Sequence, residues 1–129
     1  MDFASGQTYL FPTSQYQTAH LWVISTNPNP DGLMLVVSLT SLKGSKDQTV
    51  ILHGGEHPFL KWATCAAYNL ADLISCDTLE DHLNKGRAKM HANMSPDNTR
   101  LILDGFTASQ FTKKRIQQFA RAYKKFLKA

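Results

Sequence analysis

Gly32-Leu33-Met34-Leu35-Val36-Val37-Ser38-Leu39-Thr40-Ser41 opens the stretch, continuing to Tyr68, on which the reading of the fold turns. Its dense apolar run has the length and β-branched content of a buried strand. A polar turn, Lys43-Gly44-Ser45-Lys46-Asp47, separates it from a second short strand, Thr49-Val50-Ile51-Leu52. The chain then enters His53-Gly54-Gly55-Glu56-His57-Pro58-Phe59 before returning to apolar residues. Hydroxyls, imidazoles and carboxylates therefore collect where strands end. A rigid sheet that fixes the backbone at its rim is a common support for function.

Upstream, Gly6 to Phe11 reads as a first strand with Tyr9 and Phe11 on one face, ended by Pro12 and a polar loop at Thr13–Gln17. His20 to Thr26 is a second strand, rich in aromatic and β-branched residues. Asn27-Pro28-Asn29-Pro30-Asp31-Gly32 is a strong turn signal. It predicts an antiparallel hairpin between His20–Thr26 and Leu33–Thr40. Thr49–Leu52 would extend the meander. Four strands with short connections predict a small, strongly curved antiparallel sheet or barrel over about 6–74, followed by a helical part over about 77–129, all in one domain. The fold class is thus mainly β with helices (α+β).

Downstream, residues 60–74 fit two patterns. Trp62, Thr64, Ala66 and Tyr68 alternate as in a strand over about Lys61–Tyr68, whereas the alanines and Leu70, Leu73 and Ile74 also suit a helix. Asp77–Leu83 reads as a short helix with Thr78 as N-cap and Gly86 as its stop. Lys85–Ala92 is a basic loop or edge strand. Ser95-Pro96 is a helix start, and Gly105 is expected to end that helix. From Gln110 to Leu127, the residues Ile116, Phe119, Ala120, Tyr123, Phe126 and Leu127 form one apolar stripe of an amphipathic C-terminal helix. Trp22 and Trp62 read as core residues, with base-stacking platforms as the alternative.

The chain of 129 residues is long enough for a hydrophobic core without disulfides, and its apolar fraction of 43% is ordinary for a globular protein. No apolar run approaches a membrane span and the N-terminus lacks the pattern of a signal peptide, so a cytoplasmic protein without a membrane partner is expected. Cys65 and Cys76 fit no metal spacing; they are either two thiols or one disulfide. The net charge of +4 is unevenly spread. Residues 107–129 hold seven of the fourteen basic residues and no acid, including Lys113, Lys114 and Arg121. Such a helix suits an anionic partner such as nucleic acid, and equally suits a solvated face.

His53-Gly54-Gly55-Glu56-His57 spells the H-x-x-E-H of inverted zinc peptidases, but two glycines and Pro58 make it a turn rather than the helix such ligands require. No metal or cofactor is expected. The loop still presents two imidazoles able to move protons near neutral pH. Thr40 and Ser41 end the apolar strand, and His20 opens the strand that should pair with it.

Gly6-Gln7-Thr8-Tyr9-Leu10-Phe11, His20-Leu21-Trp22-Val23-Ile24-Ser25 and Leu35-Val36-Val37-Ser38-Leu39-Thr40-Ser41, in that order, resemble the PemK/MazF-like growth-inhibitor toxins. His57-Pro58-Phe59 followed by Ala63–Tyr68 resembles a divergent branch of that superfamily. The resemblance implies a small SH3-like barrel, a homodimer, an antitoxin protein as partner and metal-independent endoribonuclease activity, in which the RNA 2′-hydroxyl attacks the adjacent phosphate. Carried over, the family's "LTS" threonine falls on Thr40, with Ser41 beside it. The arginine that the family places just before its second strand has no counterpart, and His20 stands near its position. On this expectation His20 and His57 are the acid–base pair, Thr40, Ser41 and Lys61 hold the phosphate, and Lys113, Lys114 and Arg121 bind the nucleic acid. The alternative is a non-catalytic module on the same barrel that binds nucleic acid or a protein.

Overall fold

The computed structural model describes residues 1–12 and 19–128; the loop expected at 13–17 lies outside them. Seven strands and three helices follow one another as β1 (Thr8–Pro12), β2 (Ala19–Ile24), β3 (Leu33–Ser41), β4 (Ile51–Leu52), β5 (Thr64–Ala66), β6 (Asp72–Ser75), α1 (Cys76–Asn84), β7 (Lys89–His91), α2 (Pro96–Ala108) and α3 (Lys114–Lys128). A 3-10 turn at Tyr68–Leu70 separates β5 from β6. The class is α+β.

The long strand β3 organises the sheet. One edge pairs with β2, from Leu21 opposite Leu39 to Ile24 opposite Val36. The other edge pairs with β5 near its end and with β6 near its start. The hairpin predicted around the Asn27–Gly32 turn is present, and Asn29 Oδ1 holds that turn by accepting from the N–H groups of Asp31 and Leu33 at 3.0 and 2.9 Å. The strand order is β4-β5-β3-β2-β1-β7, with β6 also on β3. The expected meander is therefore corrected at one point: β4 does not lie beside β3, because β5 inserts between them. The Lys61–Tyr68 strand contracts to Thr64–Ala66, and Leu73 and Ile74 belong to β6 rather than to a helix.

Alternation along β3 supplies both layers of the core. Leu35, Val37 and Leu39 pack with Leu21, Val23, Ile102, Leu103, Phe106, Ile116 and Ala120, beneath α2 and α3. Met34 and Val36 pack with Tyr9, Ile24, Phe3, Leu79 and Ala88, beneath α1. With both faces covered, the apolar run in the sequence is explained.

The sheet is not closed into the expected barrel. Its terminal strands, β4 and β7, do not pair. A side chain bridges the seam instead: His57, five residues past β4, contacts Thr8 of β1 and Ala92 just after β7. No helix among the described residues is long and apolar enough to cross a membrane.

Two helix boundaries and one helix face differ from expectation. The N-cap of α1 is Ser75, whose hydroxyl accepts from the Thr78 N–H at 3.1 Å, rather than Thr78. In α3 the apolar stripe stops short of the C-terminus, leaving Phe126 and Leu127 exposed. The Ser95-Pro96 start is found, but α2 runs through Gly105 to Ala108. Gly105 is there for close approach, because a Cβ at this position would lie 1.9 Å from the Tyr68 hydroxyl and 2.7 Å from Val50 Cγ2. Tyr68 cannot withdraw, being fully buried with its hydroxyl donating to the Ile102 carbonyl at 2.7 Å. Helix propensity alone would favour Gly105→Ala by about 1 kcal/mol. Overpacking reverses the sign, and chemical denaturation should show Gly105→Ala less stable by about 2 kcal/mol or more.

Candidate functional site

Where β2 and β3 meet the Gly44–Asp47 turn, a cleft of about 410 Å³ opens, lined by His20, Ser38, Thr40, Lys46, Asn69 and Phe111 among others. Strand periodicity assembles its floor. Ser38 and Thr40 are two residues apart on β3, and extending the β2–β3 register by one pair sets His20 across from Thr40. The His20 ring nitrogen Nδ1 lies 3.4 Å from the Leu39 carbonyl.

The walls are tied together by Asp47, a buried carboxylate. It accepts from the Thr49 N–H at 3.1 Å, the Thr49 hydroxyl at 2.7 Å and the Ser109 hydroxyl at 2.8 Å. Ser109 Oγ in turn accepts from the Phe111 N–H at 3.1 Å. The turn that carries Lys46 and the α2–α3 junction that carries Phe111 are thereby held at a fixed separation.

Of the residues singled out in the sequence, His20 and Thr40 come together in this cleft. Ser41 is exposed and does not line it; Ser38, on the same side of β3 as Thr40, does. Lys61 is exposed. Its backbone packs so closely over Gly54 that a Cβ there would meet the Lys61 carbonyl oxygen at 2.7 Å, which explains one glycine of the His53–His57 turn. The other, Gly55, takes φ 92°. Glu56 closes the turn by accepting from the His53 N–H and from the Asn98 side-chain amide, contacts that hold its carboxyl below the usual range.

His57 lies outside the cleft and is 2% exposed. Its Nε2 is 2.5 Å from the Ala92 carbonyl oxygen, and its Nδ1 accepts from the Phe59 N–H at 3.1 Å. A carbonyl can only accept, so Nε2 carries the hydrogen and the neutral ring uses both nitrogens. The His91 ring lies 5.1 Å away, centroid to centroid. No group of three or more His, Cys, Asp or Glu among the described residues is placed to hold a metal ion. Cys65 and Cys76 are both free thiols.

Lys113 and Lys114 are exposed at the start of α3, immediately beyond the Phe111 wall, and Arg121 is exposed two turns further on. Two tail bases are committed internally: Arg115 pairs with Asp72 at 3.1 Å and Lys124 with Asp104 at 2.8 Å. No ion pair among the described residues engages Lys113, Lys114, Arg121 or Lys125. Trp62, read as core, is 64% exposed. Ser38 was within reach of sequence reasoning through its two-residue offset from Thr40. Lys46, Asn69 and Phe111 carry no local signal that joins them.

Comparison of the chain with family models, with curated proteins and with solved structures returns no match.

Burial pushes the His57 pKa below its ordinary value; the His91 charge pushes the same way and the Ala92 carbonyl opposes. A histidine depressed in the folded state leaves stability intact above the unfolded value of about 6.5. Stability is then lost as pH falls through that value toward the folded one, since the unfolded chain binds the proton first. Denaturant midpoints measured from pH 8 to pH 5 should fall on the acid side, and His57→Gln should flatten that dependence.

Proposed function

We propose that the protein binds single-stranded RNA, with the His20–Thr40–Lys46–Asn69 cleft receiving a phosphodiester and Lys113, Lys114 and Arg121 extending the contact along the backbone. The observation that carries this reading is the adjacency of a donor-lined cleft to tail bases that have no ion-pair partner among the described residues, the two meeting at Phe111. Lysine and arginine neutralise phosphates and release counterions, which supplies affinity without sequence reading. Hydroxyl and amide donors orient the phosphate, and the exposed aromatic rings of Phe111 and Trp62 suit stacking on unpaired bases.

A second reading is favoured by one further observation, an imidazole and a hydroxyl sharing the cleft. In it the protein is a toxin-type endoribonuclease of the SH3-like class, with an antitoxin partner and a homodimeric assembly, as the sequence resemblance implies. His20 would then take the proton from the attacking 2′-hydroxyl, while Thr40 and Lys46 stabilise the charge developing on the phosphate oxygens; the P–O5′ bond breaks to leave a 2′,3′-cyclic phosphate, and the departing 5′-oxygen takes its proton from water. His57 has no part in this version, because both its ring nitrogens are already engaged.

Filter binding of an unstructured RNA in the presence of a chelator tests both readings. Retention should weaken steeply as salt rises. Replacing Lys113 and Lys114 together by alanine should lower the slope of log affinity against log salt by roughly one to two. Salt-independent retention, or a slope unchanged in the double variant, would overturn the binding reading. Chelator-resistant cleavage leaving 2′,3′-cyclic ends, lost in His20→Ala, would establish the nuclease instead.

A further inference from the structure

On the same face of the sheet as the His20–Thr40 cleft lies a second hollow of about 290 Å³, walled by Tyr9, Phe11, Trp22, His82 and Asp72 among others. The two adjoin through β2 and β3. Trp22 follows His20 by two residues, about 7 Å along the strand, and stands in register with Ser38 of the first cleft.

The walls are flat and aromatic. Tyr9 and Trp22, cross-strand partners, hold their rings within 9° of parallel at 6.5 Å. Phe11 and His82 meet edge to face at 4.7 Å. The Trp22 indole Nε1 is buried and has no hydrogen-bond partner among the described residues. Buried donors rarely go unpaired, and this one belongs to a side chain that lines the hollow. Asp72, the acid at the rim, is already paired with Arg115.

These features select among ligands. An organic cation would profit from the aromatic walls, but the carboxylate it needs is neutralised, and a cation offers nothing to the indole N–H. A nucleobase has two π faces for the walls and in-plane nitrogen and carbonyl acceptors for the donor. We propose that this hollow is a nucleobase subsite, holding one unstacked base beside Trp22 while the adjoining phosphate lies in the His20–Thr40 cleft. The inference rests on the RNA-binding reading and adds to it a base contact separate from those offered by Phe111 and Trp62.

The test uses the full chain carrying Trp62→Phe, which leaves Trp22 as the sole indole. An unstructured RNA oligonucleotide and an abasic strand of equal length and charge are titrated while Trp22 emission is recorded. RNA should quench Trp22 and bind about tenfold more tightly than the abasic strand, the size expected for one stacked base. Phe11→Ala should shrink that difference and abolish the Trp22 quenching while keeping the affinity for the abasic strand. His82→Ala, on the facing wall, serves the same purpose if Phe11→Ala fails to show a cooperative thermal transition. Equal binding of the two strands with Trp22 emission unmoved would overturn the base subsite and leave the RNA reading standing. Binding of neither strand would overturn both. Quenching by acetyl-tyrosinamide but not by free nucleosides would assign the hollow to an aromatic residue of a protein partner and remove the proposal.

Discussion

The backbone hydrogen bonding of β3 is the constraint on which the remaining structure depends. This strand is buried on both faces and paired along both edges, so each of its amides must find a partner within the protein. On one side β2 answers with a simple hairpin. On the other side the work is divided between β5 and β6. Five residues, 67–71, separate their paired segments, while only Val37 and Ser38 separate the matching positions of β3. The excess loops out as the 3-10 turn, and the Ala67 N–H donates to the Ser38 carbonyl at 2.9 Å to keep the edge satisfied. That outward step brings Asn69 and Leu70 to the rim of the His20–Thr40 cleft. The site is thus a by-product of how one strand's hydrogen bonds are completed.

The same strand separates two environments. The α2–α3 side is a continuous apolar layer, closed by Tyr68 against Gly105. The α1 side begins apolar at Met34 and Val36 and becomes polar at Ser38 and Thr40, beyond the reach of α1. Polar side chains of β3 on this face are therefore confined to one end, where the turn of residues 44–47 and the α2–α3 junction shelter them.

Local signals in the sequence were reliable where local chemistry decides the structure. The Asn27–Gly32 turn, the Ser95-Pro96 cap and the three- and four-residue spacing of Ile116, Ala120 and Tyr123 each specify their element without distant help. Pairing order was not legible, because β4 and β5 are short and their place beside β3 is chosen by non-local packing. The same holds for the seam: His57 owes its burial to a carbonyl 35 residues away. Of the expected site, His20 and Thr40 meet because a hairpin register brings them together, which the turn foretold. Ser41 is Thr40's neighbour in sequence, whereas the pleat of the strand puts Ser38 on Thr40's side. Gly105 was misread because a glycine late in a helical pattern resembles a stop, and the tyrosine that demands it approaches from another part of the chain.

The Asp47 carboxylate, satisfied by Thr49 and Ser109, has a consequence for how the cleft meets a ligand. A loop held by three hydrogen bonds has little conformational freedom left to surrender, so an occupant meets walls already in position. Binding to such a site loses little free energy to ordering the protein, and its selectivity comes from shape, with misfit ligands excluded rather than accommodated. The rigidity also couples distant parts of the chain: displacement of the Lys46 turn must strain the Ser109 junction and, through it, the first turn of the basic helix. A cleft built this way behaves as a gauge of fixed width rather than a mouth that closes.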